Sequence, residues 1–431
     1  MKNILLLGAG KSATVLIDYL LQEADTQDWY LVVADTNKDL IEEKTKKHEL
    51  SVSVELDIKN DEQRQSLIEF SDIVISMLPP ALHILVAQDC LAFGKNLLTA
   101  SYADDTIKAL HNQAVDKGIV FLCEMGLDPG IDHMSALPLI NNIKNKGGQI
   151  TSFKSHCGGL VAPESDNNPW RYKISWNPRN VVLAGKAGAV YKEENKIVEE
   201  KYEHLFDCNR MVSFENEGSK QFSYYPNRNS LSYTELYGLQ DAETFIRTTL
   251  RYPEFMKGWK QIIDLHLTDE QLFYDTDDKT IRDFFREHFK RFKFDTKSIQ
   301  SKQLTYLGVD DDETLINKGM CSAADVLQFC LEEKIALEPG DKDMIVMLHE
   351  IDYLLNGQSH TVKSSLIVTG DDHIRTAMAK TVGLPLGIAA KLILNEQIKL
   401  SGVHIPVIKE IYEPVMEELK KFGIHFLESE S

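Results

Sequence analysis

The sequence predicts an α/β protein: a doubly wound parallel sheet, a second α/β mixed-sheet domain and an inserted helical domain. Three observations predict it. An apolar run ends in a glycine turn at Gly8. Short apolar runs then alternate with helical spacing to about residue 130, and beyond Gly130 the pattern changes.

Ile4-Leu5-Leu6-Leu7 is continuously apolar, as a strand buried on both faces requires. It is too short for a signal peptide and reads as a strand. Ala13, Leu16, Ile17, Leu20 and Leu21 follow at helical spacing. Residues 30–34 form a second apolar run, closed by Asp35. Residues 52–56 alternate, 73–78 run apolar up to Pro79-Pro80, and 96–99 and 119–122 are further strand candidates. Stretches near 61–70, 81–93 and 104–117 supply helices between them. Such alternation implies a parallel sheet with helices on both faces.

Gly8-Ala9-Gly10-Lys11-Ser12-Ala13 fits G-x-G-x-x-A between a strand and a helix. Gly8 permits the tight turn, Gly10 lets the backbone approach a pyrophosphate, and Ala13 lets helix and strand pack closely. The helix N-terminus offers unpaired N–H groups to the anion. This is the dinucleotide fingerprint of a Rossmann-type sheet. An ATP-binding loop would need glycine where Leu5 stands. Asp35 comes about 20 residues after the turn, where a carboxylate accepts from ribose hydroxyls and repels the extra phosphate of NADP. NAD is therefore the expected cofactor, and NADP the less expected one.

The formal charge of −19 excludes a nucleic-acid backbone as partner. No run of about 18 uninterrupted apolar residues occurs, so no membrane partner is expected. Cys90, Cys123, Cys157, Cys208, Cys321 and Cys330 form no C-x-x-C pair. Neither a metal site nor a disulfide framework is expected, and free thiols suit a cytoplasmic location.

Past Gly130, residues 149–160 and 174–184 read as strands around glycine-rich loops. From Thr234 to about Leu337 helical periodicity and charge dominate, giving a helical domain at 236–339. Arg247 and Arg251 stand four apart, on one side of a helix. Strands from Met344 to Leu355 and from Thr361 to Val368 flank Asn356-Gly357, a hairpin signal. They are expected to complete the sheet begun near residue 150. Helices near 373–383 and 385–395 follow.

The segment Glu124-Met125-Gly126-Leu127-Asp128-Pro129-Gly130-Ile131-Asp132-His133 resembles the E-x-G-L-D-P-G-[IL]-D-H motif of the glutamate-forming saccharopine dehydrogenases. Ile75-Ser76-Met77-Leu78-Pro79, Thr99-Ala100-Ser101-Tyr102, Cys157-Gly158-Gly159-Leu160 and Asp166-Asn167-Asn168-Pro169 match in order. So do Tyr172-Lys173-Ile174-Ser175-Trp176, Tyr225-Pro226-Asn227-Arg228-Asn229-Ser230 and Thr249-Leu250-Arg251-Tyr252. The chain departs from the family at Lys11-Ser12, at Trp170-Arg171 and at Val161, where the family has proline. Asp35 resembles the NAD-using animal enzymes rather than the fungal NADP-using ones, which carry an arginine nearby.

The resemblance implies oxidation of the secondary amine of saccharopine to an imine, then hydrolysis to glutamate and 2-aminoadipate 6-semialdehyde. It also implies a division into 1–130 with about 395–431, 131–235 with about 340–394, and 236–339. Tyr102, Asp128 and Cys157 are the expected catalytic residues. Ser101, Tyr102, Arg228, Thr249, Leu250 and Arg251 are expected to contact an amino-acid substrate, arginine being suited to carboxylates. Gly8, Ala9, Gly10, Lys11, Ser12, Asp35, Asp57, Ile58, Ser76, Leu78, Leu127 and Asp128 are expected on the cofactor side. No single general base stands out: His133 reads as a cap, His156 stands where the family often has tyrosine, and His83 reads as a structural helix residue. A homodimer is kept open. Two other readings are an imine reductase similar to carboxynorspermidine dehydrogenase and a non-catalytic NAD-binding sensor.

Overall fold

The structure, a computed structural model, describes residues 1–207, 210–214, 220–294 and 301–431. Cys208 lies outside the described residues; Cys90, Cys123, Cys157, Cys321 and Cys330 are buried. The chain divides into two units, Met1–Lys146 with Ile374–Leu427, and Gly147–His373 with Glu428–Ser431.

In the first unit strands and helices alternate as expected: β1 (Lys2–Leu7), α1 (Thr14–Gln27), β2 (Trp29–Asp35), α2 (Lys38–Thr45), β3 (Ser51–Glu55), α3 (Asp61–Glu69), β4 (Ile73–Ser76), α4 (His83–Phe93), β5 (Asn96–Thr99) and β6 (Val120–Leu122). Two short helices, Asp105–Lys108 and His111–Asp116, fill the stretch expected to hold one. The sheet runs in the order Gly402–His404, β6, β5, β4, β1, β2, β3, with every pair parallel. Ile4, Leu5, Leu6 and Leu7 are at most 1% exposed, so β1 is covered on both faces. Strand order reverses beside β1, which opens a crevice at the carboxyl ends of β1 and β4.

Asn37 and Asn60 cap α2 and α3 by accepting the Leu40 and Gln63 N–H groups. Arg64 on α3 is only 4% exposed, and its Nε lies 2.6 Å from Asp89 on α4. Its Nη1 donates to Ile58 O at 2.6 Å, which ties the loop after β3 to both helices.

The helices expected at 373–383 and 385–395 are one helix, Ala377–Leu394, with Pro385 inside it. The proline removes one backbone hydrogen bond, but apolar burial along the helix outweighs that loss. By length and composition this helix is apolar enough to cross a membrane, although Lys380 and Lys391 interrupt its apolar run, and 78% of that window is buried. It packs against α1 as a core helix.

The second unit is built on a mixed sheet. The strand Gln149–Val161 lies between Thr244–Arg251, parallel to it, and Asp343–Leu355, antiparallel. Asp343–Leu355 pairs with Gln358–Thr369 through the expected hairpin, with Asn356 at φ 52° and Gly357 at φ 79°. Thr361 and Ser431 exchange backbone hydrogen bonds of 2.9 Å at the outer edge.

Two expectations are corrected here. Residues 174–184 are not a strand; Asn177 caps a helix at Pro178–Val182. Arg247 and Arg251 lie on the strand Thr244–Arg251 and not on a helix. Its Thr, Phe and Ile residues favour the pleat, and it is buried along almost its whole length. Helices farther along pack over a core of Trp170, Tyr172, Phe255 and Trp259. Capping boxes at Thr280 with Asp283, and at Ser322 with Asp325, start two of them.

Replacing Arg64 with methionine keeps the volume but leaves Asp89 as a buried, unpaired charge. It should cost about 3–5 kcal/mol of stability, read as a lower urea midpoint. An unchanged midpoint would mean that Arg64 and Asp89 are not coupled.

Candidate functional site

The glycine turn leaves the end of β1 with almost no side chains. Gly8 has φ +97°, and a Cβ there would stand 3.0 Å from Met77 O at the end of β4. A Cβ on Gly10 would meet nothing within 4 Å, so its backbone faces open space, as a pyrophosphate cradle requires. Lys11 and Ser12 lie in the turn that leads into α1. Ala9 N–H donates to Asp35 Oδ2 at 2.7 Å, and Asn37 N–H donates to Asp35 Oδ1 at 3.1 Å. The Lys44 ammonium donates to Gly10 O at 2.6 Å. Burial lowers the Lys44 pKa to about 8, while the Asp35 charge pulls it back up.

The other residues expected on the cofactor side stand past neighbouring strand ends. Asp57 is exposed after β3, and Ile58 beside it is buried. Ser76 ends β4, wholly buried, and Leu78 is half-buried two residues on. Ser101 and Tyr102, both half-buried, follow β5.

The segment 124–133 is a tight loop in front of the helix Ile131–Asn145. Gly130 has φ +144°, and a Cβ there would overlap Gly126 O at 2.1 Å, so only glycine fits. Gly130 N–H donates to Asp132 Oδ1 at 2.6 Å. Leu127 is buried, whereas Asp128 is half-buried in an otherwise buried loop. The Asp128–Pro129 peptide is cis. His133 does not cap the helix. Its Nε2 lies 2.9 Å from Glu124 Oε2, and both side chains are buried. Glu124 Oε1 accepts Ala103 N–H at 3.2 Å, and Glu124 N–H donates to Ser101 O at 3.0 Å. Glu124 thus fixes the loop that carries Ser101 and Tyr102.

His83 joins more of the site than its helical context suggests. Nδ1 lies 2.8 Å from Ser76 Oγ, and Nε2 lies 2.8 Å from Ser101 Oγ and 3.2 Å from Thr99 Oγ1. Burial lowers its pKa to about 4, so at neutral pH the imidazole carries no charge. Spacing along the chain offered no signal for this cluster or for the Glu124–His133 pair.

In the second unit, pairing brings Cys157 beside Thr249 on one side and Met347 on the other. Cys157, Arg247, Thr249 and Arg251 share one face of the sheet by alternation. Leu250 points to the opposite face, where a Cβ on Gly158 would meet it at 2.7 Å. Arg251 is 4% exposed; its Nη1 donates to Leu250 O at 2.8 Å, and its guanidinium lies 5.3 Å from the Tyr172 and Phe255 ring centres. Arg247 is also buried, with its guanidinium 4.5 Å from the Tyr233 ring. Arg228 is exposed, at φ 52°.

On the Leu250 face, His156 Nδ1 lies 2.7 Å from Thr248 Oγ1 and its Nε2 lies 3.3 Å from Glu350 Oε2. Lys363 Nζ lies 3.2 Å from Glu350 Oε1. Burial lowers the His156 pKa, and the Glu350 contact opposes this. The hydrogen bond from His156, with help from Lys363, holds Glu350 at about 2.

Comparison with known proteins accords with this geometry. Two family models match: one described as the saccharopine dehydrogenase NADP binding domain over residues 4–122, the other as the saccharopine dehydrogenase C-terminal domain over 126–424. The chain is 35% identical to the mitochondrial alpha-aminoadipic semialdehyde synthase of Bos taurus over 99% of its own length and 47% of that protein. It thus spans about half the length of such relatives. It is 33% identical to the saccharopine dehydrogenase [NADP(+), L-glutamate-forming] of Saccharomyces cerevisiae, over 99% of both chains. The solved apo saccharopine dehydrogenase (L-Glu forming) of that yeast superposes with a TM-score of 0.86 over 100% of both chains, at 30% identity.

These findings correct the expectation of NAD. The matching N-terminal domain is described as NADP binding, and the fungal relatives carry NADP(+) in their names. The contacts of Asp35 supply a physical reason. One carboxylate oxygen is taken by Ala9 and the other by Asn37, and the Lys44 ammonium stands beside it. That is not the isolated negative charge on which the argument against an extra phosphate relied.

Asp35→Ala should loosen the turn and weaken NADP and NAD binding together, by about tenfold for a charged hydrogen bond of ~1.5 kcal/mol. Fluorescence titration reads this, and a gain confined to NADP would restore Asp35 as a discriminator. Glu350 has a folded pKa depressed from 4.5 to about 2, so its contribution is complete above 4.5 and is lost as pH falls through about 2. Glu350→Gln should therefore lower stability at neutral pH and flatten the acid-side decline in urea midpoint. An acid slope equal to that of the wild type would contradict the assignment.

Proposed function

The chain belongs to the saccharopine dehydrogenase family, and we propose that it catalyses the glutamate-forming reaction of saccharopine with NADP(+) and water. The products are glutamate, 2-aminoadipate 6-semialdehyde and the reduced dinucleotide. The observation that carries this reading is the 33% identity to the yeast enzyme across 99% of both chains.

A bound dinucleotide would supply the redox chemistry, as acceptor of the hydride from the carbon next to the secondary nitrogen. The residues of this chain have the remaining tasks. The Gly8–Ser12 turn offers backbone N–H groups to the pyrophosphate, with Asp35 holding Ala9 in place. Asp57, Ile58, Ser76, Leu78 and Leu127 border the same strand ends. In this reading Ser101, Tyr102, Thr249, Arg228 and Arg251 position a substrate that carries three carboxylates, whereas Leu250, packed on the opposite face of its strand, does not take the expected part. Arg228, exposed on its turn, is suited to a carboxylate clamp. Loss of the nitrogen-bound proton leaves an imine. Water adds to the imine carbon, and the C–N bond then breaks to free the amine of glutamate and the aldehyde. In this reading the catalytic tasks are assigned to Asp128 and Tyr102 of the first unit and to Cys157 of the second. The work asked of them is alignment, which by itself supplies a large part of a barrier reduction.

A steady-state assay with saccharopine and NADP(+), followed by nicotinamide absorbance, should show turnover, and carboxynorspermidine should give none. Arg228→Ala should raise KM for saccharopine about 10–100-fold, the factor for a charged hydrogen bond of ~1.5–3 kcal/mol. Absence of wild-type turnover on saccharopine would overturn the proposal.

A further inference from the structure

His83 is the first residue of α4 and lies beneath the ends of β4 and β5. Ser76 is the last residue of β4, Thr99 is the last of β5, and Ser101 follows two residues later. The imidazole reaches all three hydroxyls and is 4% exposed. A neutral imidazole has one N–H donor and one lone-pair acceptor. Its two serine partners are therefore tied in opposite senses. If Ser76 donates to Nδ1, then Nε2–H donates to Ser101, and the Ser101 proton points away from the imidazole. In the other tautomer Ser101 donates to Nε2 and turns a lone pair outward instead. Both arrangements keep the imidazole uncharged, so neither introduces a buried charge. The position of Ser101 Oγ thus depends on a group more than fifteen residues away in sequence, which in turn rests on Ser76.

We propose that His83 is a positioning residue that joins two ends of one crevice. Through Nδ1 it holds Ser76 and so fixes the end of β4 that borders the dinucleotide crevice, and through Nε2 it holds Ser101 for the amino-acid substrate. The inference rests on the saccharopine reading for the substrate end alone; the dinucleotide end stands on the strand-end crevice itself.

The two arms can be cut separately in the full-length chain. The amide of asparagine at position 83 reaches about as far as Nδ1, and that of glutamine about as far as Nε2. His83→Asn therefore keeps the Ser76 arm, and His83→Gln keeps the Ser101 arm. The expected pattern is crossed. His83→Asn raises KM for saccharopine about tenfold and leaves the dissociation constant of NADPH near the wild-type value. His83→Gln does the reverse: near-normal KM, and NADPH binding weaker by about fivefold, each factor being that of one lost hydrogen bond. Fluorescence titration reads the NADPH arm without any turnover. Thermal unfolding confirms that both variants are folded.

General damage from mutation would weaken both properties in both variants, and that outcome overturns the proposal. Equal NADPH affinities for His83→Gln and His83→Asn also overturn it, whether or not saccharopine is a substrate. If the wild type fails to turn over saccharopine while the NADPH arm behaves as described, the substrate reading falls and the Ser76 assignment stands.

Discussion

At the end of β1 the chain turns without a side chain, because Met77 O lies 3.0 Å from where a Cβ of Gly8 would stand. This approach sets the spacing of the β1 and β4 ends, and the crevice between them inherits it. Ala9 N–H then reaches the Asp35 carboxylate at 2.7 Å, which links the turn to the end of β2. The bare turn is thus pinned from both neighbouring strands. A backbone held this way offers N–H groups to an anion with little further ordering.

The same edge of the sheet is organised by buried polar groups. Arg64 ties the loop after β3 to α4 through Ile58 O and Asp89. His83 spans the ends of β4 and β5, and Glu124 with His133 holds the segment after β5. Buried polar groups of this kind are costly unless every member is paired. Their partners come from different strands and loops, so the loops must adopt one arrangement for all to be satisfied. In the second unit Arg247 and Arg251 meet a similar demand differently. Their guanidinium groups lie against aromatic rings, where a weakly hydrated planar cation is tolerated.

The cofactor correction shows where a motif rule stops. The rule that places an acid about 20 residues after the turn concerns identity and spacing. It assumes that the carboxylate faces the ribose with its charge unshared. Here the carboxylate accepts from Ala9 and Asn37, with Lys44 close by. None of those partners is visible in the spacing. Similarly, four-residue spacing put Arg247 and Arg251 on a helix, although alternation along a strand also places them on one side.

What the sequence determined by itself was whatever short-range periodicity encodes. Apolar runs closed by Gly8, Asp35 and Pro79-Pro80 gave the parallel sheet, Asn356-Gly357 gave the hairpin, and the ordered motifs from Gly8 to Tyr252 gave the family. Each of these depends on residues near one another in the chain. Only tertiary structure decided that Pro385 lies inside one continuous helix, that Leu250 faces away from Thr249, and that His83 joins Ser76 to Ser101. Those outcomes depend on what packs against a residue from a distant segment. A side chain's burial and hydrogen-bond partners are set by that neighbour, and its position along the chain carries no record of it.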